Sequence, residues 1–251
     1  MLLIFSDLDA TLLDHHSYSF DDALPALQLI KDKKIPLILA SSKTYEEMIN
    51  IQSKLGVTDP FIYENGSGIF FKSKKIALGK SYSQIIKILQ GLKNDFSFTS
   101  FSQLGPSGIQ KKTGLDDESS QRASLREFSE PLIWEDSENK LEIFKVLLKK
   151  QGLVGTQGGR FITISSAQTK GDALLWVKKR YQEVSENKIV TIGLGDSEND
   201  INMLSRVDKA IIVRHPNRPP PIIKNNPTTI VTTLIGPKGW NEAIIDCIDS
   251  I

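Results

Sequence analysis

Two aspartates one residue apart, Asp7 and Asp9, close the first apolar run of the chain, Leu2-Leu3-Ile4-Phe5, and are answered far downstream by Gly193-Leu194-Gly195-Asp196-Ser197-Glu198-Asn199-Asp200. Carboxylates gathered into one site repel one another. A fold that collects them normally supplies a cation, and oxygen-rich sites with several carboxylates suit Mg²⁺. The spacing therefore favours a fold that brings strand ends from both halves of the sequence to one edge. A doubly wound parallel sheet does this, because its ligands bind outside the carboxyl ends of the strands.

The rest of the sequence has the matching rhythm. Leu2 to Phe5 reads as a buried strand, followed by a helical stretch near Asp21 to Lys33, the apolar run Ile35-Pro36-Leu37-Ile38-Leu39-Ala40, and a helix from about Thr44 to Leu55. Thr44 and Glu47 have capping-box spacing, Met48, Ile49 and Leu55 share a face, and Gly56 is a natural stop. After residue 165 the pattern resumes with a helix carrying Leu174, Val177 and Tyr181, then strands at Ile189 to Ile192 and near Ala210 to Val213. Alternating strands and helices imply an α/β fold with a parallel, Rossmann-like sheet. Between the two blocks the expected order is a helix at Ile85 to Leu92, a polar Gly/Ser-rich loop, a helix near Glu118 to Phe128, a strand at Leu132 to Trp134, a helix at Leu141 to Gln151, and strands near Leu153 and Phe161. Residues 1–81 and 165–251 are thus read as two parts of a core domain and residues 82–164 as an α+β insert, with hinges near Gly79 to Ser83 and Thr163 to Lys170.

Composition excludes several partners. A formal charge of +1 over 251 residues provides no long-range basic field, so neither nucleic acid nor a membrane surface is expected as a partner. Any anion must be caught locally. Cys247 is the only cysteine, which rules out an intramolecular disulfide and suits a reducing cytoplasm. Its neighbours Ile244, Ile245 and Ile248 mark it as a core residue.

Asp7, Ser41 and Asp196 each follow an expected strand. A carboxylate can serve as a covalent nucleophile and split phosphate-ester hydrolysis into two steps, and Asp7 is the candidate. Asp9, turned to the same side of an extended chain, is placed to protonate the leaving alcohol and then to activate water. Asp196 would complete a Mg²⁺ shell. Asp200 would hold a metal-bound water or orient Lys170. Ser41 and Lys170 would supply the hydroxyl and the cation that a transferred phosphoryl group requires.

In this order and setting, Asp7-Leu8-Asp9-Ala10-Thr11, Ser41, Lys170 and Gly195-Asp196-Ser197-Glu198-Asn199-Asp200 resemble the haloacid dehalogenase-like phosphohydrolases. The resemblance implies an aspartyl-phosphate intermediate, Mg²⁺ held by Asp7, the backbone carbonyl of Asp9 and the side chain of Asp196, and an inserted α+β cap of the C2 type. Ala10 departs from the pattern, which has glycine there; the turn must adopt another geometry or bear strain. Further segments, Ala40-Ser41-Ser42-Lys43-Thr44, Glu64-Asn65-Gly66, Arg126 to Pro131, Gly158-Gly159-Arg160-Phe161 and Gly236 to Glu242, are similar to the mannosyl-3-phosphoglycerate phosphatase family. That likeness implies removal of phosphate from a sugar-glycerate phosphate to leave a compatible solute. Ser42, Lys43, Glu64, Asn65, Gly66, Arg126, Arg160 and Asn199 are the corresponding substrate-binding candidates, with Arg126 and Arg160 suited to a glycerate carboxylate. The rival readings are a broader sugar-phosphate phosphatase, a phosphomutase, and a catalytically silent sugar-phosphate binding protein.

Three remaining features have plainer readings. His15 and His16 are adjacent, are expected to point apart, and have no third ligand at suitable spacing. His215 is expected in a rigid surface loop beside Pro216 and Pro219-Pro220-Pro221, a loop that could rim the site. Trp134, Trp176 and Trp240 are read as packing residues.

Overall fold

The structure is a computed structural model that describes residues 1–158, 160–224, 226 and 228–250. Its contacts divide the chain into two compact units, one of Met1–Ser41, Asp59–Ile62 and Thr169–Ile251, the other of Ser42–Thr58 and Tyr63–Gln168.

The first unit is built on strands β1 (Leu2–Ser6), β2 (Leu37–Ala40), β10 (Val190–Gly195), β11 (Lys209–Arg214) and β12 (Ile230–Ile235), with β3 (Phe61–Tyr63) entering from it into the second. They run parallel in the order β12-β11-β10-β1-β2-β3. Strands buried on both faces need apolar side chains at consecutive positions. Leu3, Ile4, Phe5, Leu37, Ile38, Leu39, Ile192 and Leu194 meet that demand and are buried. β1 is central, paired with β10 from Leu2↔Val190 to Ser6↔Leu194 and with β2 from Ile4↔Leu37 to Ser6↔Leu39. That register delivers Asp7, Asp196 and Ser41 just beyond the ends of three adjacent strands. Helices α1 (Leu24–Asp32), α7 (Lys170–Gln182), α8 (Ile201–Leu204) and α9 (Gly236–Asp249) complete the unit. Cys247 and Trp240 are buried on α9.

The second unit contains α2 (Tyr45–Leu55), the antiparallel hairpin β4 (Gly68–Phe71) and β5 (Lys74–Ala77), and an antiparallel sheet ordered β6-β7-β9-β8. Its strands are β6 (Phe98–Ser100), β7 (Ser129–Trp134), β8 (Leu153–Gly158) and β9 (Phe161–Ser166), and its other helices are α3 (Tyr82–Leu92), α4 (Phe101–Thr113), α5 (Asp117–Ser124) and α6 (Glu138–Lys150). Ile85, Leu89, Phe98, Leu132, Phe144 and Ile164 contribute to its core. Trp134 packs there as expected, with its ring centroid 5.1 Å from that of Phe144. The expected hinge segments are tied together within this unit, where the Lys80 N–H donates to Ser166 Oγ at 2.7 Å.

Several expectations need correction. The polar stretch read as a loop holds β6 and α4; Gly105, at φ 62°, and Pro106 break α4 into two pieces, which is why its sequence looks irregular. The helix expected at Glu118 to Phe128 is the shorter α5, because Leu125 leaves the helical region at ψ 59°.

Helix α2 shows how local chemistry sets an element. Thr44 Oγ1 accepts the Glu47 N–H at 3.2 Å, the Glu47 carboxylate accepts the Thr44 N–H at 2.8 Å, and Gly56 ends the helix at φ 65°. Thr44 Oγ1 also donates to the Arg122 carbonyl at 2.9 Å. Thr44→Ala removes both bonds and is expected to cost about 1–2 kcal/mol, read as a lower urea midpoint. A midpoint equal to that of the unaltered chain would show that the cap contributes nothing.

Candidate active site

Asp7 leaves β1 buried, its N–H donating to the Leu194 carbonyl at 2.9 Å. Ser6, the last residue of that strand, donates its hydroxyl to the Asp7 carbonyl at 2.7 Å and accepts the indole N–H of Trp240 at 2.9 Å. The backbone of the candidate nucleophile is therefore tied to α9.

Lys170 lies at the first position of α7, whose capping box is formed by Thr169 and Asp172. Its ammonium is completely buried and donates to Asp7 Oδ1 at 2.5 Å and to Asp200 Oδ1 at 2.7 Å. Gly171 makes this placement possible, since a Cβ there would collide with the Asn202 backbone. Gly195 does the same for Asp200, whose Cβ and Cγ would be 2.6 Å from any added Cβ. The remaining oxygen of Asp200 accepts from the N–H groups of Asp196 and Ser197 at 3.2 and 3.1 Å. Asp200 thus shapes the turn and orients Lys170.

Asp7, Asp196 and Asp200 offer carboxylate oxygens that all lie within 4.8 Å of one another, the one such group among the described residues. Burial, followed by Asp200, raises the Asp7 carboxyl well above its ordinary range, and Lys170 only partly counters them. Asp196 is pushed up to about 6, again by burial and then Asp200. Burial pulls the Lys170 ammonium down, but Asp200 and Asp7 outweigh it and hold it above the usual lysine range. The pocket is short of positive charge and rich in hard oxygen donors, which fits a divalent cation such as Mg²⁺. Asp9 is half-buried and stands outside that carboxylate group, its backbone bridging to Leu13. Ser41 is buried at the end of β2, where its N–H donates to the Ile62 carbonyl at 3.0 Å.

Sequence reasoning did not single out Arg218, whose guanidinium lies 3.1 Å from Asp196 Oδ2. Nor did it foresee the histidines' arrangement. His15 and His16 do not diverge: their ring centroids are 4.8 Å apart, and that of His215 is 4.7 Å from His15. His215 is buried rather than on the surface. The His15–His215 contact joins segments two hundred residues apart and has no local signature; an arginine before three prolines was the one hint for Arg218. The Asn199 side-chain oxygen accepts from Ser197 Oγ at 2.5 Å.

The other substrate-binding candidates belong to the second unit. Glu64 is buried and uses both oxygens internally, accepting from Glu127 N–H, Phe128 N–H and Ser129 Oγ at 2.8, 3.0 and 2.5 Å. Asn65 and Gly66 follow at φ 57° and 99°, and Asn65 Oδ1 is buried without a hydrogen-bond partner among the described residues. Arg126 donates to the carbonyls of Ala123 and Ser42 at 3.1 and 2.8 Å. The Lys43 carbonyl accepts the Glu64 N–H at 2.9 Å. Arg160 is exposed, its guanidinium 5.9 Å from the Phe161 ring centroid, and Gly159 before it lies outside the described residues.

A family model described as haloacid dehalogenase-like hydrolase matches residues 4–230. The chain belongs to that family. It is 38% identical to the glucosyl-3-phosphoglycerate/mannosyl-3-phosphoglycerate phosphatase of Persephonella marina, covering 100% of this chain and 98% of that protein. It is 39% identical to the like-named phosphatase of Methanococcoides burtonii, covering 98% and 97%. Among solved structures, the sucrose-phosphatase of Synechocystis sp. PCC6803 superimposes with a TM-score of 0.68 at 17% identity, covering 98% of this chain and 97% of that one, a likeness of fold. With these relatives, the chain is a phosphoric monoester hydrolase of the haloacid dehalogenase-like family. No helix among the described residues is long and apolar enough to cross a membrane.

Ala10 settles the alternative posed by its sequence position. It sits at φ 57° and is buried, so the turn keeps the left-handed geometry and alanine bears the strain. That conformation costs an L-residue roughly 1–2 kcal/mol, and glycine recovers part of it after its own entropic cost. Ala10→Gly is expected to stabilise the protein by about 0.5–1 kcal/mol, raising Tm by roughly 1–4 °C. A Tm that falls would mean the turn is unstrained.

Proposed function

We propose that the protein is a Mg²⁺-dependent phosphatase acting through an aspartyl-phosphate on Asp7, with glucosyl-3-phosphoglycerate or mannosyl-3-phosphoglycerate as substrate. The observation that carries the chemistry is the buried Asp7 carboxylate held by Lys170. The substrate reading rests on the names of two relatives aligned over almost the whole chain. A cytoplasmic site of action accords with the single, buried Cys247.

In the first step an Asp7 oxygen attacks phosphorus, the bond from phosphorus to the glycerate oxygen breaks, and Asp9 gives its proton to the departing alkoxide. In the second, Asp9 takes a proton from water, the water oxygen attacks phosphorus, and the bond to Asp7 breaks to release inorganic phosphate. Lys170 orients Asp7 and, with the Ser41 hydroxyl, supplies positive charge and a donor for the phosphoryl oxygens. Asp7, Asp196 and the Asp9 carbonyl would hold Mg²⁺, which when bound offsets carboxylate charge and polarises the phosphoryl group. Of the two cap arginines, Arg160 is the better carboxylate reader, because Arg126 already holds two backbone carbonyls.

Asp7→Asn is expected to abolish phosphate release from p-nitrophenyl phosphate, since an amide cannot form the phosphoenzyme, whereas Asp9→Asn should slow both steps. Near-normal turnover in Asp7→Asn would eliminate the covalent route.

Arg160→Ala should lower kcat/KM for mannosyl-3-phosphoglycerate by roughly tenfold to a hundredfold, the value of a charge-assisted hydrogen bond, and leave p-nitrophenyl phosphate untouched. Equal losses on both esters would assign Arg160 to structure, and no release from either sugar-glycerate phosphate would remove the substrate reading.

A further inference from the structure

The acidic pocket contains two kinds of cation. Lys170 is wholly buried and bonded to Asp7 and Asp200, so it cannot leave without stranding a charge. Arg218 pairs with Asp196 instead, and the two ends of that pair differ sharply: the Asp196 side chain is 2% exposed, that of Arg218 54%. The guanidinium reaches the pocket from solvent and can withdraw from Asp196 while remaining hydrated.

Its loop favours such a reach. Arg218 precedes Pro219, which biases its backbone towards extended geometry, and Pro219, Pro220 and Pro221 fix the following φ angles. At the start of the loop, His215 Nδ1 accepts the Asn217 N–H at 3.0 Å, so the neutral ring carries its hydrogen on Nε2. Burial, and next Arg218 itself, lower the His215 pKa to about 4, leaving this buried ring uncharged at neutral pH. The positive charge that the loop presents to Asp196 is then that of Arg218.

A cation held by Asp7 and Asp196 and a guanidinium 3.1 Å from Asp196 cannot share that carboxylate comfortably, because like charges repel most strongly where water is excluded. The exposed partner is the one that can move. Once displaced, a planar guanidinium beside a phosphate-binding pocket is suited to a phosphate or carboxylate by paired hydrogen bonds. We propose that Arg218 is an exchangeable anion-binding residue, paired with Asp196 until a divalent cation takes that carboxylate and then engaged with the anionic group of the substrate. This inference rests on the metal-dependent phosphatase reading above.

The test uses calorimetric titration of the intact protein, first with Mg²⁺ alone and then with inorganic phosphate at saturating Mg²⁺. In Arg218→Gln, Mg²⁺ no longer displaces a cation, so its Kd should fall by roughly fivefold to tenfold. The phosphate Kd should rise by about tenfold or more with the loss of a charge-assisted contact. Arg218→Lys, which restores charge, should return the Mg²⁺ constant towards that of the unaltered chain. Shifts of opposite sign for the two ligands are the signature, since a merely structural role would weaken both. An unchanged Mg²⁺ constant, an unchanged phosphate constant, or two constants moving the same way would overturn the exchange. Failure of the unaltered protein to bind Mg²⁺ would instead overturn the metal reading on which it rests.

Discussion

The Lys170 ammonium, buried between Asp7 and Asp200, is the interaction on which the rest of the site depends. An unpaired ammonium or carboxylate in that position would be strongly destabilising, so each holds the others in place. The arrangement also explains local features that otherwise look incidental. Gly171 lets the first turn of α7 approach Asn202, Gly195 leaves room for Asp200, and Asp200 shapes the turn that presents Asp196. Burial, followed by the neighbouring Asp200, raises the Asp7 and Asp196 carboxyls, and Lys170 and Arg218 only partly counter it.

The two units differ in how their candidate residues are engaged. Asp7, Ser41 and Asp196 lie at adjacent parallel strand ends of the first unit, whereas the polar groups of Glu64 and Arg126 in the second unit are engaged in that unit's own structure. Glu64 is the clearest example, its carboxylate taking two backbone N–H groups and the Ser129 hydroxyl. It fixes the turn that bears Asn65.

Where local sequence and final environment agree, the fold was legible. The apolar runs of β1, β2, β10 and β11 are buried in the sheet, and the Thr44, Glu47 and Gly56 signals bound α2 as expected. The hairpin of β4 and β5 was hidden because Lys72 and Ser73 occupy its turn at φ 47° and 59°, without the usual Asn or Gly. Strand β12 was hidden because it lies at the edge of its sheet and buries only Thr232. In the site, acids placed just after strands announced Asp7 and Asp196. Arg218 and the bond from Trp240 to Ser6 depend on tertiary approach, the latter across 234 residues, which no local pattern encodes.

The Trp240 to Ser6 bond also bears on how the charge cluster comes together. Asp7 is 163 residues from the lysine that pairs with it, and the strand end before it is 234 residues from the indole that secures it. Before those segments meet, neither Lys170 nor the distant acids Asp196 and Asp200 stand beside Asp7. Gathering the acids therefore belongs to long-range packing and not to any local element, and its electrostatic cost is met only where these distant segments come together.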